Sequence, residues 1–303
     1  MDLIHAQGLY HPGFAAYMLK RMIKMPYIIT SHGDCLPQSS RRMASAAARK
    51  LCRRILQQAD AVTHLNQFMA HASHAIQDTT EKSIIIPNGI EPARWQAFHD
   101  KGDGYYLLAI GRLVREKGFD VVLEAYASLV KYKGVTLPLV IAGKGEMQAS
   151  LMRQAEGHGL PVFSSLPDIN TSLRPSVYFP GFLSDEKKYK LYANARLVLF
   201  PTQPHLVEEA FGLIILESMA AAKPLIMSRL AVTADFLRYG MQVEVVNEPA
   251  NPAGWIEKMK YLLDNLSLCR QYGEHNYRLT ALFEWKQIAK QYLQVYQRVI
   301  AVA

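Results

Sequence analysis

The sequence predicts an α/β protein built from two Rossmann-like halves. Short apolar strands alternate with amphipathic helices along the whole chain, and this alternation is typical of parallel βαβ units. A polar, glycine-containing stretch at residues 91–104 separates two such series and indicates a linker. The length of 303 residues is sufficient for two domains that each bury a core.

The first series contains four predicted strands, each followed by a helix or a turn. The last strand ends in Pro87-Asn88-Gly89, which is a strong turn signal. The strands are predicted at 2–6, 27–30, 59–66 and 83–86, and the helices at 12–24, at 41–58 and around His71 and His74.

The second series repeats the pattern and ends in three amphipathic helices. Its strands are predicted at 105–110, 137–142, 177–179, 196–202, 224–227 and 242–246. Its helices are predicted at 117–131, 146–157, 185–195, from Glu209 onward, and at 255–264, 268–281 and 285–302. Residues 159–176 and 228–240 are interpreted as loops.

The composition favours an anionic partner and a reducing compartment. The net charge is +8, which suits nucleotide phosphates or anionic lipid, although a mildly basic enzyme gives the same value. The cysteines, Cys35, Cys52 and Cys269, are scattered and have no metal-ligand spacing. No apolar run approaches the roughly 20 residues of a membrane span, so a cytoplasmic location is predicted. No motif supports nucleic-acid binding.

Two carboxylates, Glu209 and Glu217, flank an apolar run that contains Gly212. On an ideal helix they would lie about 12 Å apart, too far to share one scissile bond, because paired carboxyls in retaining glycosidases lie about 5 Å apart. A helix that begins here, after the strand at 196–202, would instead hold two ends of an extended ligand. Its free N–H groups would favour a phosphate.

Gly111-Arg112 follows a predicted strand, and Lys117-Gly118 lies five positions further on. A glycine allows the backbone to approach a ligand closely, and Arg112 and Lys117 could both reach a diphosphate. A solvated run of charges at a helix start is the alternative interpretation.

Two weaker candidates lie in the first half. The helix predicted at 41–58 carries six cations that either face solvent or contact anionic lipid head groups at a membrane surface. These cations are Arg41, Arg42, Arg49, Lys50, Arg53 and Arg54. His71 and His74 have no evident third ligand and are interpreted as surface residues of a helix.

Taken together, the motifs resemble those of family four of the retaining nucleotide-sugar glycosyltransferases, which have the GT-B fold. The resemblance covers nearly the whole chain, and the motifs occur in the family's order. They are Thr30–Gly33, Pro87–Ile90, Gly111–Gly118, Ile141–Glu146, Phe179–Gly181, Glu209–Ala220, Lys223–Ile226 and Phe283–Trp285. The resemblance implies two Rossmann-like domains with a central cleft.

The resemblance also implies site residues. The catalytic set would be His32, Arg112, Lys117 and Glu209. The nucleotide-sugar donor would contact Gly111, Arg112, Lys117, Phe182, Leu183, Glu209, Phe211, Gly212, Leu213 and Glu217.

Each implied residue has a role. Arg112 and Lys117 would clamp the diphosphate in place of a divalent metal, so no metal and no other cofactor is expected. Glu217 would bind the ribose and Glu209 the sugar hydroxyls. His32 would approach the reacting sugar, while the backbone near Phe182 and Leu183 would meet the base, and that of Phe211 to Leu213 the sugar or phosphate.

The sequence departs from the family pattern in two places. The family carries a further βα unit before the strand predicted at 2–6, so the N-terminal domain is expected to be truncated or completed by a partner chain. The segment 228–240 has Ala231 and Val232 where the family has two glycines, and Asp235 where it has a glutamate. These side chains are expected to alter or loosen donor binding.

The sequence therefore predicts a partial N-terminal domain at 1–93, a nucleotide-sugar-binding domain at 94–283 and a final helix at 284–303 that crosses back. The predicted activity is transfer of a hexose from a UDP- or GDP-linked sugar to a glycan or lipid-linked acceptor, with retention of configuration. A non-catalytic chain that binds nucleotide or completes a partner, and a phosphorylase that uses inorganic phosphate, are the alternatives.

Overall fold

The computed structural model describes residues 2–36, 45–98, 103–166 and 174–302. The chain divides into two compact units, each with its own parallel sheet and flanking helices. The first unit comprises residues 1–89, 207–212 and 282–303, and the second comprises 90–206 and 213–281. The predicted α/β class is confirmed.

The first unit contains a four-stranded parallel sheet with the order β1-β2-β3-β4. β2 is buried along its whole length, because helices pack against the apolar side chains of Tyr27, Ile28 and Ile29. The strands are β1 (Ile4–Gln7), β2 (Tyr27–Ser31), β3 (Ala61–His64) and β4 (Ser83–Ile85). The helices are α1 (His11–Ile23), α2 (Ala46–Gln58) and α3 (Gln67–His74), with a 3-10 turn at Thr80–Lys82.

The last helix of the chain, Trp285–Val302, also packs in the first unit. Its buried face presents Ile288, Val295 and Val299 to Ile28 and Ala61 of the sheet. The polypeptide therefore leaves this unit and returns to it at the C-terminus.

The second unit contains a seven-stranded parallel sheet with the order β11-β10-β9-β5-β6-β8-β7. Its strands are β5 (Tyr106–Ile110), β6 (Leu139–Ala142), β7 (Val162–Phe163), β8 (Val177–Tyr178), β9 (Ala195–Phe200), β10 (Leu225–Ser228) and β11 (Glu244–Val246). The central strands are buried except at Ile110 and Arg196 and carry mostly aliphatic residues, as expected where helices cover both faces.

Eight helices of the second unit are described, and several pack on the sheet through large buried side chains such as Tyr126 and Trp255. They are α4 (Pro92–Gln96), α5 (Phe119–Lys133), α6 (Gln148–Gly157), α7 (Asp185–Ala193), α8 (Leu213–Ala220), α9 (Ala231–Arg238), α10 (Pro252–Asp264) and α11 (Leu266–Leu279). The C-terminal helix described above is α12.

The segment predicted as a linker contains a helix, α4, which the polar composition of the segment did not indicate. Pro92 begins it, and Trp95 anchors it with only 4% of its surface exposed. The ring of Trp95 packs against Tyr189 and Tyr192 of α7, at centroid distances of 4.6 and 5.3 Å. A single buried aromatic residue therefore orders a segment that its neighbours predict to be a loop.

The segment predicted as a loop at 228–240 is also largely helical. α9 buries Val232 and Phe236, and the hydroxyl of Thr233 accepts a hydrogen bond from the N–H of Leu230 at the helix start. Val232 is therefore a core residue, while Ala231 is exposed. Asp235 is nearly buried and pairs with Arg238 at 2.9 Å.

Two predicted helix starts are displaced by glycines with positive φ. Gly118, at φ +64°, separates a 3-10 turn at Arg115–Lys117 from α5. Gly212, at φ +76°, delays α8 to Leu213, so Glu209 precedes the helix rather than opening it. The helix predicted from Arg41 begins at Ala46, since the backbone of Ser45 is extended, and residues 37–44 lie outside the described residues.

Candidate functional site

A pocket of about 310 Å³ lies in the second unit, at the carboxyl ends of several parallel strands. Open α/β sheets bind ligands at this edge, because the strand-to-helix loops converge there. The lining residues are Ile110, Gly111, Arg112, Ala142, Gly143, Lys144, Gly181, Phe182, Leu183, Lys188, Ile214 and Glu217.

Three glycines bring backbone rather than side chains to this pocket. Gly111, Gly143 and Gly181 follow β5, β6 and β8, and all three have positive φ. The N–H of Gly143 donates to the carbonyl of Gly181 at 3.0 Å, and a Cβ on Gly143 would lie 1.8 Å from the carbonyl oxygen of Gly111. Only glycine fits at position 143, and its fit keeps the loops after β5 and β6 in close contact.

The carboxylate of Glu217 lies in the pocket and is held by two side chains of α7. One oxygen accepts from the ammonium of Lys188 at 2.8 Å, and the other accepts from the hydroxyl of Tyr192 at 2.8 Å. A carboxylate on an apolar helix face needs partners, and the structure provides Lys188 and Tyr192.

Both α7 partners are protonated at neutral pH. Burial alone would lower the pKa of Lys188, but the charge of Glu217 and the hydrogen bond to it outweigh burial, so the pKa is raised. Burial, reinforced by the charge of Glu217, raises the pKa of Tyr192 well above its usual value. Two hydrogen bonds and the positive charge of Lys188 therefore hold the carboxylate of Glu217 in place.

The pocket carries more positive than negative charge. Arg112 is 73% exposed and lies 3.8 Å from Glu116, a distance at which the ion pair is weak. Lys144 is exposed at the rim, and its stem passes beside Gly181. Among the described lining residues only Glu217 is acidic, so the pocket suits an anion.

Lys117 lies in the loop after β5, but its side chain does not line this pocket. Its ammonium is 3.4 Å from the hydroxyl of Thr202 and 5.5 Å from the ring centre of Phe200, at the carboxyl end of β9. The glycine that follows it, Gly118, has no room for a Cβ, which would lie 2.3 Å from the carbonyl oxygen of Pro201. The position of Lys117 is therefore fixed by the β9 loop.

One edge of the pocket is apolar and open. Phe182 is 78% exposed, and it follows Gly181, whose φ of +74° turns the chain after β8. Leu183 is half-buried beside it. An exposed aromatic ring next to backbone groups suits the face and edge of a flat heterocycle.

The segment 207–212 packs in the first unit, although the sequence assigned it to the second domain. The side-chain amide of Asn66 donates to the carbonyl of Ala210 at 2.7 Å, while its oxygen caps α3 at the N–H of Met69. A Cβ on Gly33 would lie 3.2 Å from that of Ala210. The Thr30–Gly33 motif and the Glu209 segment are thus neighbours within one unit.

The members of this segment differ in exposure. Phe211 is 4% exposed and Glu209 is half-buried. Gly212 is buried, whereas Leu213, the first residue of α8, is 54% exposed and belongs to the second unit.

His32 is exposed at the end of β2, and its ring is held by Gln7. The Nε2 atom of His32 lies 2.7 Å from the side-chain oxygen of Gln7, so this nitrogen donates. Gln7 also contacts His5, whose Nδ1 lies 2.8 Å from the hydroxyl of Tyr296 on α12. Burial, followed by the charge of His32, lowers the pKa of His5 to about 4, so His5 is neutral at physiological pH.

The structure brings together five of the residues implied by the sequence, Gly111, Arg112, Phe182, Leu183 and Glu217. Lys117 and Leu213 belong to the same unit but do not line this pocket, and His32, Glu209, Phe211 and Gly212 belong to the first unit.

Sequence reasoning missed Lys144 and Lys188, which line the pocket, and the buried Tyr192, which bonds to Glu217 without lining the pocket. Lys144 stands within a motif that was recognised only as a landmark, and Lys188 and Tyr192 were read only as part of a helix. Their spacing of four residues places them on one face of α7, which was the available signal. Which face is turned to the pocket could not be inferred locally.

Among the residues that the structure describes, no helix is long and apolar enough to cross a bilayer. Within the same residues, no three His, Cys, Asp or Glu side chains are grouped where they could hold a metal ion.

A solved structure has the same fold as this chain. The structure of Anabaena Alr3699/HepE in complex with UDP superposes with a TM-score of 0.79 at 16% identity, over 98% of this chain and 79% of that one. This likeness shows the GT-B fold.

Two curated relatives are similar in sequence. The O-antigen chain mannosyltransferase C of Escherichia coli is 27% identical over 83% of this chain and 63% of its own length. The D-rhamnosyltransferase WbpZ of Pseudomonas aeruginosa is 26% identical over 91% of this chain and 64% of its own length. The chain therefore spans a little under two thirds of the length of these relatives.

The family models divide the chain near its linker. The model described as Glycosyltransferase Family 4 matches residues 1–94. The model described as Glycosyl transferases group 1 matches residues 92–279, which is more than half of the chain and includes the whole pocket. The chain thus belongs to the group 1 glycosyl transferases.

Proposed function

We propose that this protein transfers a hexose from a UDP- or GDP-linked sugar to a glycan or lipid-linked acceptor, with retention of anomeric configuration. The observation that carries the proposal is the pocket of the second unit, where glycine backbone, Arg112 and the fixed carboxylate of Glu217 line one cavity. A nucleoside diphosphate has the matching parts, namely a flat base, ribose hydroxyls and an anionic tail.

Each part of the donor has a proposed partner. The base contacts Phe182 and Leu183, the ribose donates hydrogen bonds to Glu217, and the backbone at Gly111 approaches the diphosphate. Arg112 and Lys117 neutralise the diphosphate, so the reaction needs no resident cofactor and no metal. From the family resemblance, His32 and Glu209 contact the donor sugar, with Phe211, Gly212 and Leu213 supplying backbone contacts.

The proposed reaction transfers the sugar on one face. The bond between the anomeric carbon and the phosphate oxygen breaks, and the acceptor oxygen forms the new bond to that carbon. The proton of the acceptor hydroxyl passes to the departing diphosphate. The protein contributes positioning and electrostatic stabilisation of the leaving group, chiefly through Arg112 and Lys117.

We propose that the reaction belongs to polysaccharide or lipopolysaccharide synthesis, and the relatives' names support this. One relative is named an O-antigen chain mannosyltransferase and another a D-rhamnosyltransferase, and the structural neighbour holds UDP. We propose an acceptor of the same class, which is a growing glycan or its lipid-linked form.

A second candidate is a chain that binds the nucleotide but requires a partner chain for turnover. It is supported by the pocket, whose lining residues all lie in the second unit. The two candidates share the same nucleotide pocket and differ in turnover by the isolated chain.

Calorimetric titration with UDP and GDP tests the pocket. We expect the unmodified chain to bind one of them and Arg112→Ala or Glu217→Ala to weaken binding at least tenfold, since hydrogen bonds to charged groups each contribute about 1.5–3 kcal/mol. Arg115→Ala is the matched control, because it removes the same charge from an exposed side chain that does not line the pocket. Absence of any nucleotide binding by the unmodified chain would refute the proposal.

A panel of nucleotide sugars then separates the two candidates. Release of UDP or GDP that depends on an acceptor glycan indicates a transferase. Tight nucleotide binding with no turnover in the whole panel indicates a chain that needs a partner.

A cytoplasmic protein that contacts an anionic membrane peripherally is the proposed setting. The support is the exposed face of α2, which carries four cations and no acidic residue. They are Arg49, Lys50, Arg53 and Arg54, while Arg41 and Arg42 lie outside the described residues. Sedimentation with lipid vesicles measures this contact.

A further inference from the structure

The carboxylate of Glu217 is largely buried, with 18% of its side chain exposed, and it is held at both oxygens. Its two oxygens have different donors, an ammonium from Lys188 and a phenol from Tyr192, each at 2.8 Å. Both donors come from successive turns of α7, so the plane of the carboxylate is set by one rigid element. An ionised carboxylate accepts about four hydrogen bonds, which leaves lone pairs for a ligand.

Lys188 and Tyr192 are in turn positioned by the side chains that pack against them. The side chain of Tyr192 is fully buried, and the ammonium of Lys188 lies 5.9 Å from the ring centre of Trp95. Trp95 is the buried anchor of α4 and also packs on Tyr192. The short helix in the linker thereby supports the two side chains that orient Glu217.

Lys188 also changes the electrostatics of the pocket. An isolated carboxylate beside a diphosphate would repel it, because like charges in a partly desolvated site interact strongly. The ion pair between Lys188 and Glu217 cancels that charge and keeps both carboxylate oxygens available as acceptors. The contact therefore suits a ligand that is anionic at one end and rich in hydroxyls at the other.

We propose that Lys188 and Tyr192 are positioning residues that orient Glu217 to recognise the ribose 2′- and 3′-hydroxyls of a nucleoside diphosphate. This inference rests on the proposed function, because it deepens the role of the same pocket. Discrimination between ribose and deoxyribose then depends on Glu217, Lys188 and Tyr192 together rather than on Glu217 alone.

The test compares binding of a ribonucleotide with its 2′-deoxy form, using UDP and dUDP, or GDP and dGDP if the chain prefers guanine. We expect the unmodified chain to bind the deoxy form at least tenfold more weakly, because a hydroxyl bonded to a charged group is lost. Lys188→Met and Tyr192→Phe should each reduce this ratio to below threefold. Lys188→Met should also weaken UDP itself, and Lys188→Arg should restore much of the ratio.

Matched controls lie on the same helix. Lys190→Met removes an exposed ammonium that pairs with Glu186, and Tyr189→Phe removes a hydroxyl of α7 other than the one that bonds to Glu217. Both should keep the full ratio. Urea unfolding monitored by tryptophan fluorescence confirms that each variant is folded, and if Tyr192→Phe does not fold, the pair Lys188→Met and Lys188→Arg decides.

The outcomes separate this inference from the proposed function. If the unmodified chain binds no nucleotide, the proposed function fails and this inference fails with it. If it binds and Glu217→Ala abolishes the discrimination, but Lys188→Met and Tyr192→Phe keep it, the proposed function stands and the positioning role is overturned. Equal binding of the ribonucleotide and its 2′-deoxy form by the unmodified chain also overturns the positioning role.

Discussion

At the scale of single residues, Gly143 shows how little freedom the pocket has. Its φ of +136° is outside the regions that residues with a side chain adopt, and the loop after β5 leaves no space for a Cβ. The N–H of Gly111 bonds to the carbonyl of Ala142 at 3.0 Å, so the two loops are also joined by backbone. The pocket floor therefore depends on a residue without a side chain.

We expect Gly143→Ala to lower the free energy of unfolding by at least about 2 kcal/mol, through backbone strain and the contact with Gly111. Nucleotide binding should weaken with it, because the loop that carries Arg112 must move. Urea titration and calorimetry measure the two effects. Gly157→Ala is the control, since a Cβ there meets nothing within 4 Å and the change should stay within about 1 kcal/mol. Similar stability of the two variants would contradict the close contact.

At the scale of elements, α12 completes the core of the first unit although it lies far from that unit's strands in sequence. Ile288, Val295 and Val299 are almost fully buried, and a Cβ on Gly89 would lie 2.5 Å from the ring of Trp285. The helix is amphipathic, so its outer face carries exposed residues such as Ile300. Removal of its inner side chains should therefore destabilise the whole unit.

We expect Ile288→Ala to destabilise the protein by about 2–4 kcal/mol, since it removes buried methyl groups and leaves a cavity. Ile300→Ala makes the same chemical change at a side chain that is 45% exposed and should cost less than about 0.5 kcal/mol. Both values follow from urea unfolding curves recorded under one condition. Equal effects of the two substitutions would show that α12 does not contribute to the core.

At the scale of the whole molecule, the net charge of +8 is unevenly distributed. The exposed face of α2 carries Arg49, Lys50, Arg53 and Arg54 without an acidic neighbour on that helix. Near a bilayer that contains anionic lipid, each such cation contributes about 1 kcal/mol of attraction. Peripheral binding should therefore depend on lipid charge and on salt.

We expect Lys50→Glu combined with Arg54→Glu to reduce sedimentation with phosphatidylserine vesicles at least tenfold, since two attractions become repulsions. Lys131→Glu combined with Lys133→Glu changes the net charge equally on α5 of the second unit and should have little effect. Binding to neutral phosphatidylcholine vesicles provides the baseline. An equal loss for both double variants would indicate attraction by net charge rather than a membrane-facing surface.

Much of the fold could be predicted because its signals are local. Buried strands such as β5 and β9 are short aliphatic runs bounded by turn residues, and helices such as α2 show their apolar face in the spacing of residues. Predictions failed where one side chain outweighed its surroundings. Trp95 orders α4 within a polar stretch, and Val232 and Phe236 bury a helix in a segment read as a loop.

By itself, the sequence determined the α/β class and the order of the strands and helices other than α4, α9 and β7. It also contained the motif pairs Gly111-Arg112 and Glu209/Glu217, which point to an anionic, hydroxyl-rich ligand. Such features depend on neighbours along the chain. Only the tertiary structure decided which side chains hold those motifs. Glu217 depends on Lys188 and Tyr192, and the segment before α8 depends on Asn66 of the first unit. These contacts join residues 25 to 144 positions apart, and local periodicity carries no information about them.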